Sequence, residues 1–206
     1  LASTCGKFGY EIYTGMKQEF GEVEEPISPG TVGSSTMPQK RNPHLSQDVM
    51  AYAAQIRTMV PLTLETIMTE HEANRQTSLM MRYAQGQVCT LMGDTLERVR
   101  ILAEGIVLKP ERMRANLDLT DGLIMAEPMM LALGEHVGRQ DAHDIVYDAA
   151  QEAAVGDKTF NALLSADERV TGHLSKAQIE ELLDPTAYTG LCANMALEQA
   201  TRARKL

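Results

Sequence analysis

One stretch of apolar residues at helical spacing restricts the fold more than any other feature of the sequence. Seven residues follow each other at steps of three or four: Met80, Ala84, Val88, Met92, Leu96, Val99 and Ala103. This spacing predicts one helix from about Asn74 to Glu104. At a rise of about 1.5 Å per residue, the helix would be on the order of 45 Å long. Such a length is typical of a long bundle, and the charged residues Asp94 and Arg98 within it argue against a membrane span.

The rest of the chain is also predicted to be helical. Nothing alternates strictly at period two for long, and the fold class is therefore all-α. We predict a helix over residues 1–20, a loop over 21–39, and a helix that starts at Pro43 with Asn42 as its cap. Further helices are predicted from Pro110, over 121–133, over 138–154 and near 160–164. Ser175 and Gln178 form a predicted capping box.

We predict two domains. Residues 1–110 form a segment of a central long-helix bundle, and residues 111–206 form a smaller helical C-terminal domain. The chain opens without an initiator methionine, as if an element were already under way, and we expect it to be a fragment of a longer protein.

Composition and charge exclude several classes of partner. The formal net charge is −9, and the only strongly basic cluster is "RARK" at residues 202–205, so a nucleic-acid partner is not expected. No apolar run approaches the roughly 20 residues that span a bilayer, and we expect no membrane partner. The three scattered cysteines are typical of free thiols in a reducing compartment, and a cytoplasmic location is expected.

The loop "GTVGSSTMPQKRNPHLSQD", residues 30–48, concentrates polar groups ahead of a helix. Glycines let backbone N–H groups face a ligand, while Ser34 and Ser35 offer hydroxyls. Lys40 supplies a cation, Asn42 supplies both a donor and an acceptor, and the positive end of the next helix faces the loop. That set suits a substrate with carboxylates and a reaction in which negative charge builds up. A polar surface loop without a ligand explains the same composition equally well.

The segment "GSSTMPQKRNP" resembles the GSSxMPxKxNP signature of the fumarase/aspartase lyase superfamily. Three later segments, "NLDLTDGLIMAE", "GRQDAHDIV" and "LLDPTAY", are similar to the C-terminal domain shared by adenylosuccinate lyases and 3-carboxy-cis,cis-muconate cycloisomerases. The resemblance covers essentially the whole chain, but only the later half of a family member.

The resemblance implies a helical homotetramer whose active sites combine segments from three subunits. Within the signature loop, residues 28–42, it makes Ser34 the general base, which removes a proton next to a carboxylate and gives an aci-carboxylate. Cleavage of a C–N or C–O bond then releases fumarate, while Lys40 and Asn42 bind the carboxylate and stabilise its extra charge. No cofactor is implied, and the substrate is a small dicarboxylate or tricarboxylate. The segment with a catalytic histidine should lie upstream, so the isolated 206 residues are expected to be inactive.

Two further loop residues are candidates for substrate binding. Ser35 either hydrogen-bonds the substrate or holds the loop, and Met37 packs against the substrate or the helix end. The sequence departs from the family at Gln47, because members usually carry a glutamate five residues after the asparagine. That acid is expected to orient the lysine. Asp48 could compensate, although it points about 100° around the helix.

A second substrate-binding segment is predicted at "EHEANRQTSLMMR", residues 70–82. Adenylosuccinate lyases carry roughly HERDxSHSSxER there, and Ser78 and Arg82 match the residues that contact the nucleotide. Ala73 and Thr77 depart from that pattern, and the tryptophans of the cycloisomerases are absent. No metal site is predicted at His71, because adjacent residues on a helix point apart.

Three functions remain open at this point. The first is an adenylosuccinate lyase-like elimination that releases fumarate from an N-substituted aspartate or succinyl compound. The second is a 3-carboxymuconate-type cycloisomerase, which uses the same proton chemistry to close a lactone. The third is a non-catalytic scaffold, as in the lens crystallins of this superfamily. Intact Ser34, Lys40 and Asn42 argue against the third.

Overall fold

Three helices make up most of the first unit of the computed structural model, which describes residues 1–26, 37 and 40–205. They are α1 (Ala2–Gly15), α2 (His44–Glu65) and α3 (Arg75–Gly105). A short ladder of β1 (Val23–Glu24) and β2 (Val107–Leu108) and the helix α4 (Pro110–Leu117) complete the early part of the chain. The chain divides into two compact units, Leu1–Met113 and Arg114–Leu206. Helices dominate both units, and the predicted all-α class is confirmed.

Glycines allow α1 to lie very close to α2. A Cβ atom built on Gly6 would lie 2.9 Å from the Cβ of Ala53, and one built on Gly9 would lie 3.0 Å from a methyl carbon of Val49. Around these contacts, Ile12, Val49 and Leu102 form a core in which α1, α2 and α3 all take part. Small residues on both helices therefore set the distance between α1 and α2.

The long helix α3 is confirmed, and its apolar stripe is only partly buried within this chain. Leu96 is 44% exposed and Ala103 is also exposed. The buried positions of α3 are Thr77, Ala84, Thr95 and Leu102. A sequence stripe selects apolar residues, whereas packing also buries Thr95, because its hydroxyl donates to the Leu91 carbonyl oxygen at 2.7 Å inside the helix.

The first predicted helix is too long. α1 ends at Gly15, and the chain then turns so that the Gly21 N–H donates to the Lys17 carbonyl oxygen at 2.7 Å. Gly21 has a φ of 63°, which a glycine adopts without strain. Phe20, assigned to the apolar face of a helix over residues 1–20, is 45% exposed.

The predicted loop over residues 21–39 contains a strand. β1 pairs antiparallel with β2, with Val23 opposite Leu108 and Glu24 opposite Val107. An ion pair between Lys109 and Glu24 extends this contact. Two residues are too few to show an alternating pattern, so this strand could not be predicted from the sequence.

The second unit is built from short helices around one core. Its helices are α5 (Ala126–Val137), α6 (Arg139–Val155), α7 (Phe160–Ala166), α8 (Glu168–Thr171), α9 (Lys176–Leu182) and α10 (Cys192–Ala203). Its buried side chains include Met129, Leu133, Phe160, Leu164 and Ile179.

The ends of these helices test the sequence predictions. The helix predicted over 121–133 begins later, at Ala126, because residues 118–120 and 123–125 form 3-10 turns. Asp121 and Gly122, which join the two turns, both have positive φ. The capping box of Ser175 and Gln178 is confirmed. In the described part of the chain, no helix is both long enough and apolar enough to cross a membrane.

The close packing of α1 on α2 predicts the effect of one added methyl group. Gly6→Ala should lower the free energy of unfolding by about 1–3 kcal/mol, because the new methyl group overlaps Ala53 in the core. Lys7→Ala, on the exposed side of the same helix, should change it by less than about 0.5 kcal/mol. Urea unfolding followed by circular dichroism measures both. A Gly6→Ala variant as stable as the wild type would contradict this packing.

Candidate active site

The end of the signature loop leads directly into α2. The Lys40 N–H donates to the Met37 carbonyl oxygen at 3.0 Å, and the His44 N–H donates to the Asn42 carbonyl oxygen at 2.9 Å. Lys40 and Met37 are exposed, and Asn42 is half-buried. Two predicted site residues, Ser34 and Ser35, lie outside the described residues. The structure therefore places Lys40 and Asn42 just ahead of the helix, with the Lys40 side chain open to solvent.

The predicted cap of α2 is wrong. The helix begins at His44, with Pro43 in the cap position and no capping hydrogen bond from its own side chain. Instead, the carboxylate of Glu25 accepts the Leu45 N–H at 3.0 Å and the Ser46 N–H at 2.7 Å. Glu25 is only 6% exposed. These two N–H groups are therefore already bonded within the protein, and a substrate carboxylate would have to displace Glu25 to reach them.

Asp48 is engaged away from the loop. Its carboxylate accepts the Arg98 Nε–H at 3.1 Å, and the Arg98 guanidinium lies 5.0 Å from the centre of the Tyr52 ring. Partial burial lowers the pKa of Arg98, but the hydrogen bond and the charge of Asp48 outweigh it, so this pKa lies above its ordinary value. Gln47 is exposed beside this pair. Asp48 therefore joins α2 to α3, and its bond to Arg98 argues against a role in place of the missing glutamate.

A second cluster of predicted site residues lies at the start of α3. A depression of about 390 Å³ is lined by Thr66, Thr77, Ser78, Met81, Arg82 and Gln85. The Ser78 hydroxyl donates to the Asn74 carbonyl oxygen at 2.8 Å, which leaves its oxygen free to accept a hydrogen bond. The side chain of Asn74 caps α3 by accepting the Thr77 N–H at 2.8 Å. Arg82 is exposed, and its guanidinium makes no ion pair with any acid in the described part of the chain.

The two clusters lie at opposite ends of α2. α2 and α3 pack antiparallel: Asp48 near the start of α2 contacts Arg98 far along α3, while Thr66 at the end of α2 meets the first turns of α3. α2 has 22 residues, which corresponds to a length of about 33 Å. Because Lys and Arg side chains are much shorter than this distance, one copy of the chain does not bring Lys40 and Arg82 onto one small substrate.

A metal site receives no support from the described residues. His71 has a φ of 55°, and its Nε2 atom lies 3.9 Å from a carboxylate oxygen of Glu70. Within the described ranges, no group of three or more His, Cys, Asp or Glu side chains is close enough to hold an ion.

Two family models match this chain. The model described as "Lyase" matches residues 1–58, and the model "Adenylosuccinate lyase C-terminus" matches residues 122–198. The chain belongs to the fumarase/aspartase lyase superfamily. The signature loop lies inside the first match, and most of the short helices after residue 121 lie inside the second.

Individual members of the superfamily show the same relationship. The chain is 32% identical over 194 residues to the N-acetyl-S-(2-succino)cysteine lyase of Enterococcus italicus, an alignment that covers 94% of this chain and 43% of that protein. It is 36% identical over 194 residues to the 3-carboxy-cis,cis-muconate cycloisomerase of Bradyrhizobium diazoefficiens, which covers 92% of this chain and 42% of that relative. The chain thus spans about two-fifths of the length of these curated relatives.

The fold matches solved structures of the superfamily. The 3-carboxy-cis,cis-muconate lactonizing enzyme from Pseudomonas putida superposes with a TM-score of 0.78 at 32% sequence identity. That superposition covers 92% of this chain and 41% of the solved chain.

The ion pair of Asp48 can be tested without any enzyme assay. In a double-mutant cycle on unfolding free energy, Asp48→Asn and Arg98→Met should couple by about 0.5–1 kcal/mol, because the pair is partly exposed. Asp48→Asn and Lys40→Met, the matched cycle, should couple by less than about 0.3 kcal/mol. A larger coupling of Asp48 to Lys40 than to Arg98 would restore the view that Asp48 replaces the missing glutamate.

Proposed function

We propose that the whole protein is a lyase that eliminates the substituent of an N-substituted aspartate or similar succinyl compound and releases fumarate. The observation that carries this proposal is the signature segment with Ser34, Lys40 and Asn42 all intact. A relative with 32% identity is named for the cleavage of a succinylated cysteine, which is a succinyl compound with a sulfur substituent. The leaving atom is nitrogen in an N-substituted aspartate, as in adenylosuccinate lyases, and sulfur in a succinylated thiol.

The proposed chemistry is a stepwise β-elimination. Ser34 removes a proton from the carbon next to one carboxylate, and the electron pair spreads into that carboxylate as an aci-carboxylate. The electrons then form the carbon–carbon double bond of fumarate, while the bond to the substituent breaks and the leaving group takes up a proton from a general acid. The resemblance places that acid in a segment outside this chain.

Charge stabilisation makes this role plausible for a serine. A free hydroxyl is a poor base near neutral pH, so Ser34 depends on its surroundings for activation. The exposed ammonium of Lys40 and the side chain of Asn42 stand just ahead of α2, where they can bind the carboxylate that gains charge.

We propose that the active site is composite and that the protein is a homotetramer. The separation of Lys40 from Arg82 by about the length of α2 supports this, because only different copies could supply both to one substrate. Exposed apolar side chains on α2 and α3, including Val60, Leu64, Leu79 and Leu96, are available for helix packing between copies.

A cycloisomerase is the second candidate function. Relatives that are 36% identical carry the name 3-carboxy-cis,cis-muconate cycloisomerase, and one of the similar solved structures is a lactonizing enzyme of this type. Proton transfer next to a carboxylate by Ser34 and charge stabilisation by Lys40 serve that reaction as well. A scaffold without activity is the remaining alternative.

A substrate panel separates these functions. We expect the full-length protein to release fumarate from one of these compounds: adenylosuccinate, argininosuccinate, a simple N-substituted aspartate or N-acetyl-S-(2-succino)cysteine. Ultraviolet absorbance measures the fumarate that is released. Ser34→Ala should lower kcat by about 10²–10⁴-fold, because it removes the base. Lys40→Met should lower kcat by about 10²–10³-fold. Loss of 3-carboxymuconate absorbance without fumarate would identify a cycloisomerase, and no turnover at all would favour the scaffold.

Mixed assemblies test the composite site. Lys40→Met and Arg82→Ala should each be nearly inactive when refolded alone. Refolded together at equal amounts, they should recover about a quarter of wild-type activity, since a site that takes the two residues from different copies is intact in one combination of four. If both residues act from the same copy, no site is intact and the mixture stays as inactive as the separate variants.

A further inference from the structure

Glu25 is a buried carboxylate that the proposed chemistry does not use. It follows β1 directly, ahead of the signature loop, and both of its oxygens are bonded to the first turn of α2. The bonded residues, Leu45 and Ser46, lie 20 and 21 positions later in the sequence. One side chain therefore joins the two ends of the segment that contains Lys40 and Asn42.

The hydrogen bonds of the Glu25 carboxylate explain how it can be buried. A buried ionised carboxylate is costly unless hydrogen bonds compensate the loss of water. Glu25 makes no ion pair with any Lys, Arg or His in the described residues, and its carboxylate accepts hydrogen bonds from the two backbone N–H groups. Charge-assisted bonds to a helix N-terminus supply this compensation. An arrangement of this kind holds the helix start at one place relative to β1.

The side of the contact that carries Glu25 is itself firmly placed. β1 is paired with β2, and Glu24 is ion-paired with Lys109. Pro26 packs on Gly105 so closely that a Cβ atom on that glycine would lie 2.6 Å from the Pro26 Cβ. Glu25 thus extends from a segment fixed to the end of α3.

The other side of the contact, the first turn of α2, lies close in sequence to the proposed catalytic residues. Asn42 lies three residues before Leu45, and its carbonyl oxygen accepts the His44 N–H. Lys40 is two residues earlier, and its N–H is bonded to the Met37 carbonyl oxygen. A shift of the first turn of α2 would therefore move both Asn42 and Lys40.

We propose that Glu25 is a positioning residue for the elimination: its carboxylate fixes the start of α2 and thereby sets where Lys40 and Asn42 stand. The catalytic consequence rests on the function proposed above. A misplacement of catalytic groups by about 1 Å can cost on the order of 10²-fold in rate. Lys40 stabilises charge that develops during the reaction, so the cost falls on kcat more than on KM.

The test compares two neighbouring carboxylates in the full-length protein. Glu25→Gln keeps the volume and one acceptor oxygen, but its NH₂ group faces a backbone N–H donor. Glu24→Gln is the matched control, because the Glu24 carboxylate pairs with Lys109 and makes no hydrogen bond to α2 in the described part of the chain. Amide hydrogen exchange is measured over residues 40–48, kcat and KM are measured on the substrate that the panel identifies, and thermal unfolding verifies that both variants are folded.

The expected result is specific to Glu25. Exchange over residues 40–48 should rise by about tenfold or more in Glu25→Gln, and by less than about threefold in Glu24→Gln. With Glu25→Gln, kcat should fall by about 10–100-fold while KM changes by less than about threefold.

Other results of this experiment would overturn either the inference about Glu25 or the proposed function. Unchanged exchange in Glu25→Gln would show that the carboxylate does not fix the start of α2, and the inference would fail. Raised exchange with an unchanged kcat would show that the contact is structural only, which also overturns it. If the wild type turns over no compound of the panel, the proposed function fails, while exchange at residues 40–48 still decides whether Glu25 holds this segment in place.

Discussion

The antiparallel packing of α2 on α3 is the constraint on which the first unit depends. It packs Val49 and Leu102 into one core cluster with α1 and Ala53 into a second, and it aligns the start of α2 with the far end of α3. The same arrangement keeps Lys40 and Asn42 about one helix length from the cluster of Ser78 and Arg82. The packing that buries the core of one copy therefore also holds the proposed binding groups apart, and the composite site proposed above rests on that separation.

The sequence predicted local features well and long-range contacts poorly. α3 was predicted within one residue at each end, because a capping asparagine and a sustained helical period are local signals. The start of α2 was also predicted within one residue, but its cap was wrongly assigned to Asn42, because the carboxylate that accepts its first N–H groups lies 20 residues earlier in the chain. Leu96 lies on the apolar stripe of α3 by its spacing, and packing within the chain leaves it exposed.

The difference between local signals and long-range contacts also applies to the candidate site. Lys40 and Asn42 belong to a contiguous motif, and its resemblance to the family signature makes them candidates directly from the sequence. The partner of Asp48 is an arginine 50 residues away, and no spacing rule reaches that far. Glu25 stands in the acidic run "EVEEP", where one carboxylate pairs with Lys109 and the next is buried against a helix. Their separate roles depend on which side of the chain each one faces, and composition cannot show this.

The bond between Glu25 and the first turn of α2 also closes the intervening chain into a ring. The entropy of closing such a ring grows only with the logarithm of its length, and a few added residues would cost a few tenths of a kcal/mol. By this entropy alone, insertions between Pro26 and Asn42 would therefore lower the free energy of unfolding only slightly. If relatives keep the length of this segment constant, the reason would then be the function of its side chains and not the stability of the fold. Comparing the segment length among relatives would therefore separate selection for chemistry from selection for stability.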